Sequence, residues 1–333
     1  MMRRLPAEWE PQQMVLFSFP RRAGDWGEVL DAASEAMIEA ANAVQQVCPT
    51  QMVVGDREHY TRYADRYAGS VSFLPTDDCW IRDSGPITVV NGTPTLLDFT
   101  FNGWGGKFDA RRDNELPERL HRELFPTAGY ERIAAVLEGG SIESDGRGTL
   151  LTTSRCLLSD GRNDYKDKAE AADMLQRNLG AERVIWLDYG ELLGDDTDAH
   201  IDTVARFLDP RTIAYVGPPP TSDPQHADFS AMKRQLESQA NDYQLVELPW
   251  AGQVSSRLDG HRLPASYANF LISNGTIFVP TYGTEADQSA LDILADHGSY
   301  RVVGVNCLPF VEQHGALHCL TMHIPDWKQL TKS

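Results

Sequence analysis

The sequence has few cysteines, few basic residues relative to acidic ones, and no long apolar runs, and each shortage excludes a class of protein. Five cysteines, an odd number without paired spacing, argue against a disulfide framework and favour reduced thiols in a cytosol. No apolar run approaches the length that crosses a bilayer, and no apolar segment follows the basic residues near the N-terminus. We therefore expect a cytoplasmic protein without a membrane partner or a secretory signal.

The shortage of basic residues also limits the partners that the chain can bind. It has 30 lysines and arginines against 48 aspartates and glutamates, a net charge of -18. Nucleic acids and anionic membranes bind basic patches, so this balance argues against both and agrees with a cationic ligand. The 333 residues are 41% hydrophobic and 23% charged, which is ordinary for a globular protein with a sizeable core.

An acidic stretch, Gly194–Asp202, is the most unusual segment of the chain. Read as an extended strand, it places Asp196, Asp198, His200 and Asp202 on one side, because side chains alternate faces along a strand. Carboxylates in such a row repel one another and need a cation in front of them. The stretch predicts a solvated acidic loop, a divalent metal site, or a pocket for an organic cation in which His200 moves protons. It lacks the pattern of a calcium hand.

The rest of the chain alternates between strand and helix patterns. Apolar periodicity predicts helices over residues 26–47, 116–125, 162–179, 229–240 and 286–297. Short apolar runs predict strands over residues 14–19, 51–54, 71–75, 87–90, 95–99, 133–137, 149–153, 184–187, 212–216, 245–249, 276–280 and 300–305. Polar candidates occur at or near strand ends, 50 to 69 positions apart: Asp83, Glu138, His200, Asn269 and Cys319. A unit repeated about five times predicts a radial array with these residues at its centre.

Two of these candidates, Asp83 and Glu138, and the aromatic residue Trp104 can also be interpreted from their local surroundings. Asp83 lies at the mouth of a hairpin, where it could reach a ligand, cap a turn or pair with Arg82. Glu138 ends an apolar strand before two glycines, and a carboxylate there is costly to bury without a partner. Trp104 lies in a glycine-rich loop without the ending of a phosphate loop, which predicts a pocket wall or a packed anchor rather than a nucleotide site.

Among the cysteines, Cys319 is the candidate for chemistry. Four others lie in or beside apolar segments, where packing is the default: Cys48, Cys79, Cys156 and Cys307. Cys319 follows a glycine and a histidine, Gly315 and His318, in a segment that can approach a ligand closely. A zinc site built from His314, His318 and Cys319 is an alternative, although structural zinc usually takes paired cysteines.

A cysteine, a histidine and several carboxylates suit the hydrolysis of a guanidinium group. Guanidinium is a planar permanent cation that carboxylates bind in bidentate fashion. A thiolate can attack its carbon once two carboxylates hold it, while a histidine protonates the departing ammonia. Water then releases a ureido product. The bound cation also lowers the effective pKa of the thiol.

At these positions the chain resembles the agmatine deiminase and bacterial-type peptidylarginine deiminase family of the guanidine-modifying pentein superfamily. The matching stretches follow the order of the family and span nearly the whole length. They are Leu5–Pro11, Trp80–Pro86, Phe101–Gly106, Glu138–Ile142, Asp196–Asp202, Leu263–Tyr267, Asn269–Phe270 and His318–Cys319. The resemblance implies a single catalytic domain over residues 1–333, an α/β fold that is a five-bladed pseudo-symmetric propeller of ββαβ modules.

The resemblance also assigns roles to the candidate residues. It implies that Cys319 is the nucleophile and that His200 is the acid and base, oriented by Glu138. Asp83 and Asp202 grip the guanidinium, which makes the substrate a small cationic guanidino compound. No cofactor and no metal are implied.

A second group of residues is assigned to binding the rest of the substrate. Asp196 faces a distal amine, Trp104 walls the pocket, and Asn269 joins the substrate-binding set. The acidic site favours agmatine, whose ammonium needs another carboxylate. The alternative substrate is peptidyl-arginine. The alternative functions are a guanidinium- or polyamine-binding protein without turnover and a metal-dependent hydrolase. The sequence leaves open whether the chain forms a homo-oligomer.

The chain departs from the usual pattern of the family at three places. Ala199 stands where a glycine is usual, and residues 314–317 replace a glycine-rich run that ends in asparagine. Residues 17–20 lack the usual tryptophan–proline pair. These departures bear on the choice of substrate and leave the catalytic set intact.

Overall fold

Small sheets that repeat one pattern make up the architecture. The computed structural model describes residues 3–297 and 300–330. In four sheets, two antiparallel strands are followed by a third that runs parallel to the second. In chain order the strands are β4 (Ile87–Val90), β5 (Pro94–Thr100), β6 (Gly129–Val136); β7 (Ile142–Ser144), β8 (Thr149–Thr153), β9 (Arg183–Leu187); β10 (Ala205–Asp209), β11 (Thr212–Val216), β12 (Gln244–Leu248); and β13 (Leu271–Ser273), β14 (Thr276–Thr281), β15 (Arg301–Asn306).

The fifth sheet takes its strands from both ends of the chain. It consists of β16 (Thr321–Pro325), β1 (Gln12–Ser18), β2 (Thr50–Val53) and β3 (Ser70–Ser72). β16 pairs antiparallel with β1, and β1 pairs parallel with β2, so this sheet repeats the pattern of the other four. The prediction of a five-bladed α/β propeller built of ββαβ modules is confirmed.

One long helix lies between the second and third strands of each module. These helices are α1 (Leu30–Gln45), α2 (Leu116–Leu124), α3 (Lys168–Leu179), α4 (His226–Gln239) and α5 (Asp287–Asp296). Single helical turns are formed by Arg57–Tyr60, Ile81–Ser84, Gly103–Gly106, Ser154–Leu157, Leu308–Val311 and Trp327–Leu330. Short 3-10 segments are formed by Gly27–Val29, Ala64–Arg66, Asp113–Glu115, Gly139–Ser141 and Ile201–Thr203. Within the described ranges, every helix is too short or too polar to cross a membrane.

The apolar core lies between the helices and the sheets. In the fifth sheet, α1 buries Ala33, Met37 and Val44 in the same cluster as Phe17 of β1 and Met52 of β2. Each of these five side chains is completely removed from solvent. The helical periodicity read from the sequence therefore marks the face that packs on the sheet.

The third long helix starts six residues later than predicted, at Lys168 rather than at residue 162. The Asp167 side chain accepts hydrogen bonds from the backbone N–H groups of Ala169 and Glu170, and this cap fixes the first turn. The residues before it are therefore free to form a loop, which carries Arg162 to the centre of the molecule.

The prediction that Asp196–Asp202 is a strand is wrong. Asp198 and Ala199 have φ angles of 65° and 63°, in the left-handed region that an extended strand excludes. The side chain of Asp195 accepts hydrogen bonds from the Thr197 hydroxyl and the Ala199 N–H, at 2.7 Å each. This local bonding stabilises a turn in place of a strand. The alternation of faces therefore does not apply.

The repeated modules place the candidate residues at equivalent positions. In each module a turn precedes the first strand, and that turn carries a polar candidate. Asp83 precedes β4, Glu138 precedes β7, His200 and Asp202 precede β10, Asn269 precedes β13, and Cys319 precedes β16. Five turns from five sheets therefore supply one candidate site.

The left-handed backbone at Ala199 leads to a test of stability. We expect Ala199→Gly to leave the free energy of unfolding within about 0.5 kcal/mol of the parent, or to raise it, because an L-residue there costs roughly 1–2 kcal/mol. The exposed Ala169, in the first turn of α3, offers the control, where Ala169→Gly is expected to cost up to about 1 kcal/mol, the value for a helix interior. Urea unfolding measures both. A larger loss at Ala199 than at Ala169 would contradict the assignment.

Candidate active site

Cys319 lies at the bottom of a pocket and is only 6% exposed. Its Sγ is 3.3 Å from Nδ2 of Asn269 and 4.0 Å from Oδ2 of Asp202. The amide oxygen of Asn269 accepts a hydrogen bond from the His318 N–H at 2.9 Å, which fixes the amide beside the thiol. Burial raises the pKa of Cys319, and the nearby Asp202 and Asp83 raise it further. The thiol therefore needs a cation beside it in order to ionise.

Asp83 faces the same pocket and is held by two donors. Its Oδ1 accepts the Gly140 N–H at 2.9 Å, and its Oδ2 accepts the Trp104 indole N–H at 3.0 Å. Burial and the nearby Glu138 raise the pKa of Asp83 to about 7, although both donors favour the carboxylate. Trp104 therefore orients a candidate ligand-binding carboxylate as well as lining the pocket.

His200 is completely buried, and both of its ring nitrogens lack a hydrogen-bond partner within the described part of the chain. Its Nδ1 is 3.6 Å from Oδ1 of Asp83. Burial lowers the pKa of His200 well below its usual range, and the positive charges of Arg162 and Lys107 lower it further. The imidazole is therefore neutral. One ring nitrogen is free to accept a proton and the other, which carries the hydrogen, is free to donate one.

Glu138 contacts Arg162 instead of forming a hydrogen bond to His200. Nε of Arg162 lies 2.9 and 3.1 Å from the two carboxylate oxygens, and both side chains are inaccessible to solvent. Arg162 also pairs with Asp198 and donates to the Thr197 carbonyl at 2.8 Å. Glu138 is thus tied to the loop that carries His200. Its role in orienting His200 stays a prediction.

Sequence reasoning missed Arg162, which it placed inside a helix. The signal that could have found it was the cost of burying Glu138, since a buried carboxylate without a cation is unstable. Among the described residues, Glu138, Cys156 and His200 have ligand atoms within 4.8 Å of one another, a spacing that a metal ion could bridge. Nε of Arg162 already contacts both oxygens of Glu138, so the charge of this carboxylate is balanced by the Arg162 guanidinium rather than by a metal ion.

Behind Asp202 lies a buried row of polar side chains that includes His318 and Glu8, and the sequence analysis did not single out Glu8. His318 Nδ1 is 2.7 Å from Oδ2 of Asp202, and His318 Nε2 is 2.7 Å from Oε2 of Glu8. Oδ1 of Asp202 is buried and has no hydrogen-bond partner within the described ranges. Arg82 reaches Glu8 at 3.4 Å, so it does not serve as the partner of Asp83.

Asp196 lies farther out, where it lines the pocket with Asp78, His314 and the rim of the Trp104 loop. Burial raises the pKa of both Asp196 and Asp78 to about 6, so that both are ionised at neutral pH. His314 has a φ of 67°, and its Nδ1 lies 2.6 Å from the Gly194 carbonyl oxygen. Like Ala199, it has a positive φ, a backbone conformation that favours glycine, which agrees with the glycine that is usual in these segments.

Gly140 is a further site residue that the sequence analysis did not single out. A Cβ atom there would lie 2.7 Å from His200 Nδ1, 2.8 Å from Asp83 Oδ1 and 3.0 Å from Asp202 Oδ2. The hydrogen atom of glycine therefore leaves a space between two carboxylates and an imidazole. The five turns thus bring together Asp83, Glu138, His200, Asp202, Asn269 and Cys319, with Trp104 as a wall and Asp196 nearer the rim.

Comparison with known proteins identifies the family of this site. The profile described as Porphyromonas-type peptidyl-arginine deiminase matches residues 4–325. The chain belongs to this family. A relative from Marinomonas sp., whose assignment as an agmatine deiminase is itself provisional, is 33% identical, with 97% of this chain and 94% of the relative covered.

Solved structures agree with the family. Agmatine deiminase of C. jejuni with substrate bound is similar at a TM-score of 0.92 and 32% identity, covering 97% of this chain and 96% of that one. A structure from Porphyromonas gingivalis, provisionally described as an arginine deiminase, is 39% identical with a TM-score of 0.88, covering 97% and 98%. The protein is therefore a hydrolase of C–N bonds in amidines, a deiminase of guanidino compounds with the pentein fold.

The space beside Gly140 gives a direct test of the site. We expect Gly140→Ala to lower kcat/KM for guanidine hydrolysis at least about a hundredfold, because the added methyl group displaces the carboxylates and the imidazole. The control is Gly304→Ala in β15, where the nearest atom is a side-chain methyl at 3.2 Å. Unfolding curves for both variants separate lost activity from lost folding. Unchanged activity in Gly140→Ala would contradict the geometry.

Proposed function

We propose that this protein converts agmatine to N-carbamoylputrescine and ammonia through a covalent amidino-cysteine intermediate. The observation that supports this substrate is the charge of the pocket that contains Cys319. Its lining includes five aspartates and, among the described residues, neither arginine nor lysine: Asp25, Asp78, Asp83, Asp195 and Asp196. A guanidinium at one end and an ammonium at the other both match this lining.

The same lining argues against free arginine. The carboxylate of arginine would enter a pocket of negative charge without a strong cationic partner, which is costly. Three arginines line the adjoining cleft of about 630 Å³, but each lies close to an aspartate. Arg21 and Arg112 lie 3.7 and 3.6 Å from Asp77, and Arg111 lies 3.2 Å from Asp109.

The first half of the reaction follows from the groups around the thiol. Asp83 and Asp202 hold the guanidinium, whose positive charge favours the thiolate of Cys319. His200, neutral in the free site, takes the proton of the thiol. The thiolate attacks the guanidinium carbon, and the bond from this carbon to a terminal nitrogen breaks. His200 gives its proton to that nitrogen, which leaves as ammonia.

In the second half of the reaction, which hydrolyses the amidino-cysteine, His200 first acts as a base toward water. The neutral imidazole removes a proton from water, and the resulting hydroxide attacks the carbon of the amidino-cysteine. The C–S bond breaks as the hydroxyl of the intermediate loses its proton and becomes the carbonyl of the ureido product. Protonated His200 returns its proton to the sulfur, and the hydroxyl proton leaves to solvent. Asn269, whose Nδ2 lies beside Sγ, stabilises the charge on sulfur in both halves. Asp196 binds the distal ammonium, and Trp104 packs along the alkyl chain.

The nucleophile and the substrate are tested together by ammonia release in the presence of chelator. We expect release from agmatine, and much less from free arginine or an arginine peptide. Cys319→Ala is expected to lower it by more than about a thousandfold, because the covalent route is lost. The control is Cys307→Ala, which removes a buried thiol outside the pocket lining. Faster release from either other guanidine would contradict the agmatine proposal, and full activity in Cys319→Ala would contradict the nucleophile.

The pKa of Asp83 predicts the acidic limb of the pH profile. The guanidinium needs the carboxylate, so we expect kcat/KM to fall as the pH drops through about 7. Trp104→Phe removes a donor that stabilises the carboxylate, which raises the pKa and moves the limb to higher pH. Trp186→Phe, in β9, is the control and should leave the limb in place. An unmoved limb in Trp104→Phe would exclude Asp83 as its origin.

A further inference from the structure

The row formed by Glu8, His318 and Asp202 cannot satisfy its own hydrogen bonds without one additional proton. His318 lies between two carboxyl groups, with each ring nitrogen 2.7 Å from a carboxyl oxygen. A neutral imidazole has one N–H donor and one lone pair, whereas an ionised carboxylate only accepts. Two carboxylates and a neutral imidazole would therefore leave two acceptors facing each other at one contact. The row therefore holds one proton more than two carboxylates and a neutral imidazole would carry.

That proton does not lie on Glu8, which is surrounded by donors. Oε1 accepts the Ile272 N–H at 2.7 Å and lies 3.1 Å from Nη2 of Arg206, while Oε2 lies 3.4 Å from Nη2 of Arg82. Burial opposes ionisation, but Arg206, His318 and Arg82 together lower the pKa of Glu8 well below its usual range. Glu8 is therefore a carboxylate that accepts from Nε2–H of His318.

In the free site the proton lies on Asp202, because its Oδ1 is buried without a hydrogen-bond partner among the described residues, and a carboxylate there would keep an unsatisfied charged oxygen. Burial and the charge of Asp83 raise the pKa of Asp202, and this increase exceeds the opposing effects of Arg206 and Arg82. Burial and the two arginines lower the pKa of His318. The free row is then a carboxylic acid whose O–H donates to Nδ1, and an imidazole whose N–H donates to Glu8. Three other titratable groups among the described residues face this row: Cys319, whose Sγ is 4.0 Å from Oδ2 of Asp202, Glu143 beside Arg206, and His323 beside Glu8.

We propose that His318 takes up the proton of Asp202 when the guanidinium binds, and that Glu8 stabilises the imidazolium that forms, so that both act as positioning residues for Asp202. The O–H bond at Oδ2 of Asp202 breaks, and an N–H bond forms at Nδ1 of His318. Nε2 keeps its proton, so that His318 becomes an imidazolium between the carboxylates of Glu8 and Asp202. Asp202 thereby becomes a carboxylate for the substrate without loss of a proton to water.

This inference rests on the proposed function, because it requires that the guanidinium binds against Asp202. The arrangement has two consequences. Substrate binding does not require a buried acid to release its proton through the protein, and the new imidazolium lies between two negative charges. Glu8 lies about 310 positions from His318 along the chain. Through His318 it determines whether Asp202, beside Cys319, carries a negative charge.

The first experiment observes His318 directly. Side-chain ¹⁵N spectra of histidine-labelled Cys319→Ser protein are recorded at about pH 8, with and without agmatine, and His318→Gln identifies the resonances. We expect a neutral imidazole protonated at Nε2 in the free protein and an imidazolium in the complex. A neutral His318 in the complex, or an imidazolium already present in the free protein, would overturn the transfer.

The second experiment counts protons. Calorimetric titration of the same Cys319→Ser protein with agmatine, in two buffers of different ionisation heat at about pH 8.5, gives the protons released on binding. We expect close to none, because Asp83 is already ionised at this pH and the row keeps its proton. Release of about one proton would show that Asp202 loses its proton to water, which would overturn the proposal.

A pair of variants isolates Glu8. Glu8→Gln removes the charge that stabilises the imidazolium, so we expect its resonance to disappear from the complex and the Kd for agmatine to rise at least tenfold. Glu143→Gln, which also alters a buried partner of Arg206 but does not contact His318, should retain the imidazolium. An imidazolium that persists in Glu8→Gln would exclude Glu8 from the row.

The spectrum of the free protein separates this inference from the proposed function. If agmatine fails to bind, the proposed substrate is wrong, but the Nε2–H tautomer with a protonated Asp202 is still expected in the free protein. An Nδ1–H tautomer there would overturn the row whatever the substrate. Because the ¹⁵N spectrum of the free protein is recorded with native Glu8, this test does not depend on whether Glu8→Gln folds.

Discussion

The site depends on one constraint, which is that carboxylates buried side by side need cations. Glu138 is neutralised by Arg162, and Glu8 by Arg82 and Arg206, all within the protein. Among the residues that the structure describes, no arginine lines the pocket beside Asp83 and Asp202, and burial raises the pKa of each. The protein thus pairs guanidinium groups with carboxylates behind the pocket and leaves two carboxyl groups unpaired in front. The pairing of guanidinium with carboxylate that stabilises the buried acids inside the protein is the same pairing by which, in our proposal, Asp83 and Asp202 bind the substrate.

The same constraint links binding to reactivity. In the free site Cys319 is a thiol, because burial and neighbouring acids disfavour a further negative charge. His200 is neutral for the opposite reason, since burial and Arg162 disfavour a positive one. In the proposed mechanism, a bound guanidinium lowers the pKa of the Cys319 thiol and is itself held by the acids around it. Proton transfer from Cys319 sulfur to the His200 imidazole becomes favourable only then. In this mechanism Cys319 therefore stays unreactive until the substrate provides the positive charge.

Much of the fold and the centre of the site could be predicted, because both follow from a repeated pattern. Cys319 and Asn269, like the other candidates, precede the first strand of a module, and a period of 50 to 69 residues shows this without coordinates. The strand predicted at Asp196–Asp202 failed because Asp195 bonds to the backbone that follows it, a local preference that alternation of polarity does not reveal. Glu8 and Arg162 were missed because their partners are tertiary, 310 and 24 positions away.

The pairing of the first strand with the last has a consequence for biosynthesis. β16 pairs with β1, and Cys319 lies just before β16, so the thiol and the strand that closes the ring leave the ribosome after the other four sheets. Until then β1 exposes an unpaired edge, and the row at Glu8 lacks its histidine. A nascent chain therefore carries the acidic half of the candidate site without the thiol of Cys319, the proposed nucleophile. The candidate site is complete only once β16 has paired with β1.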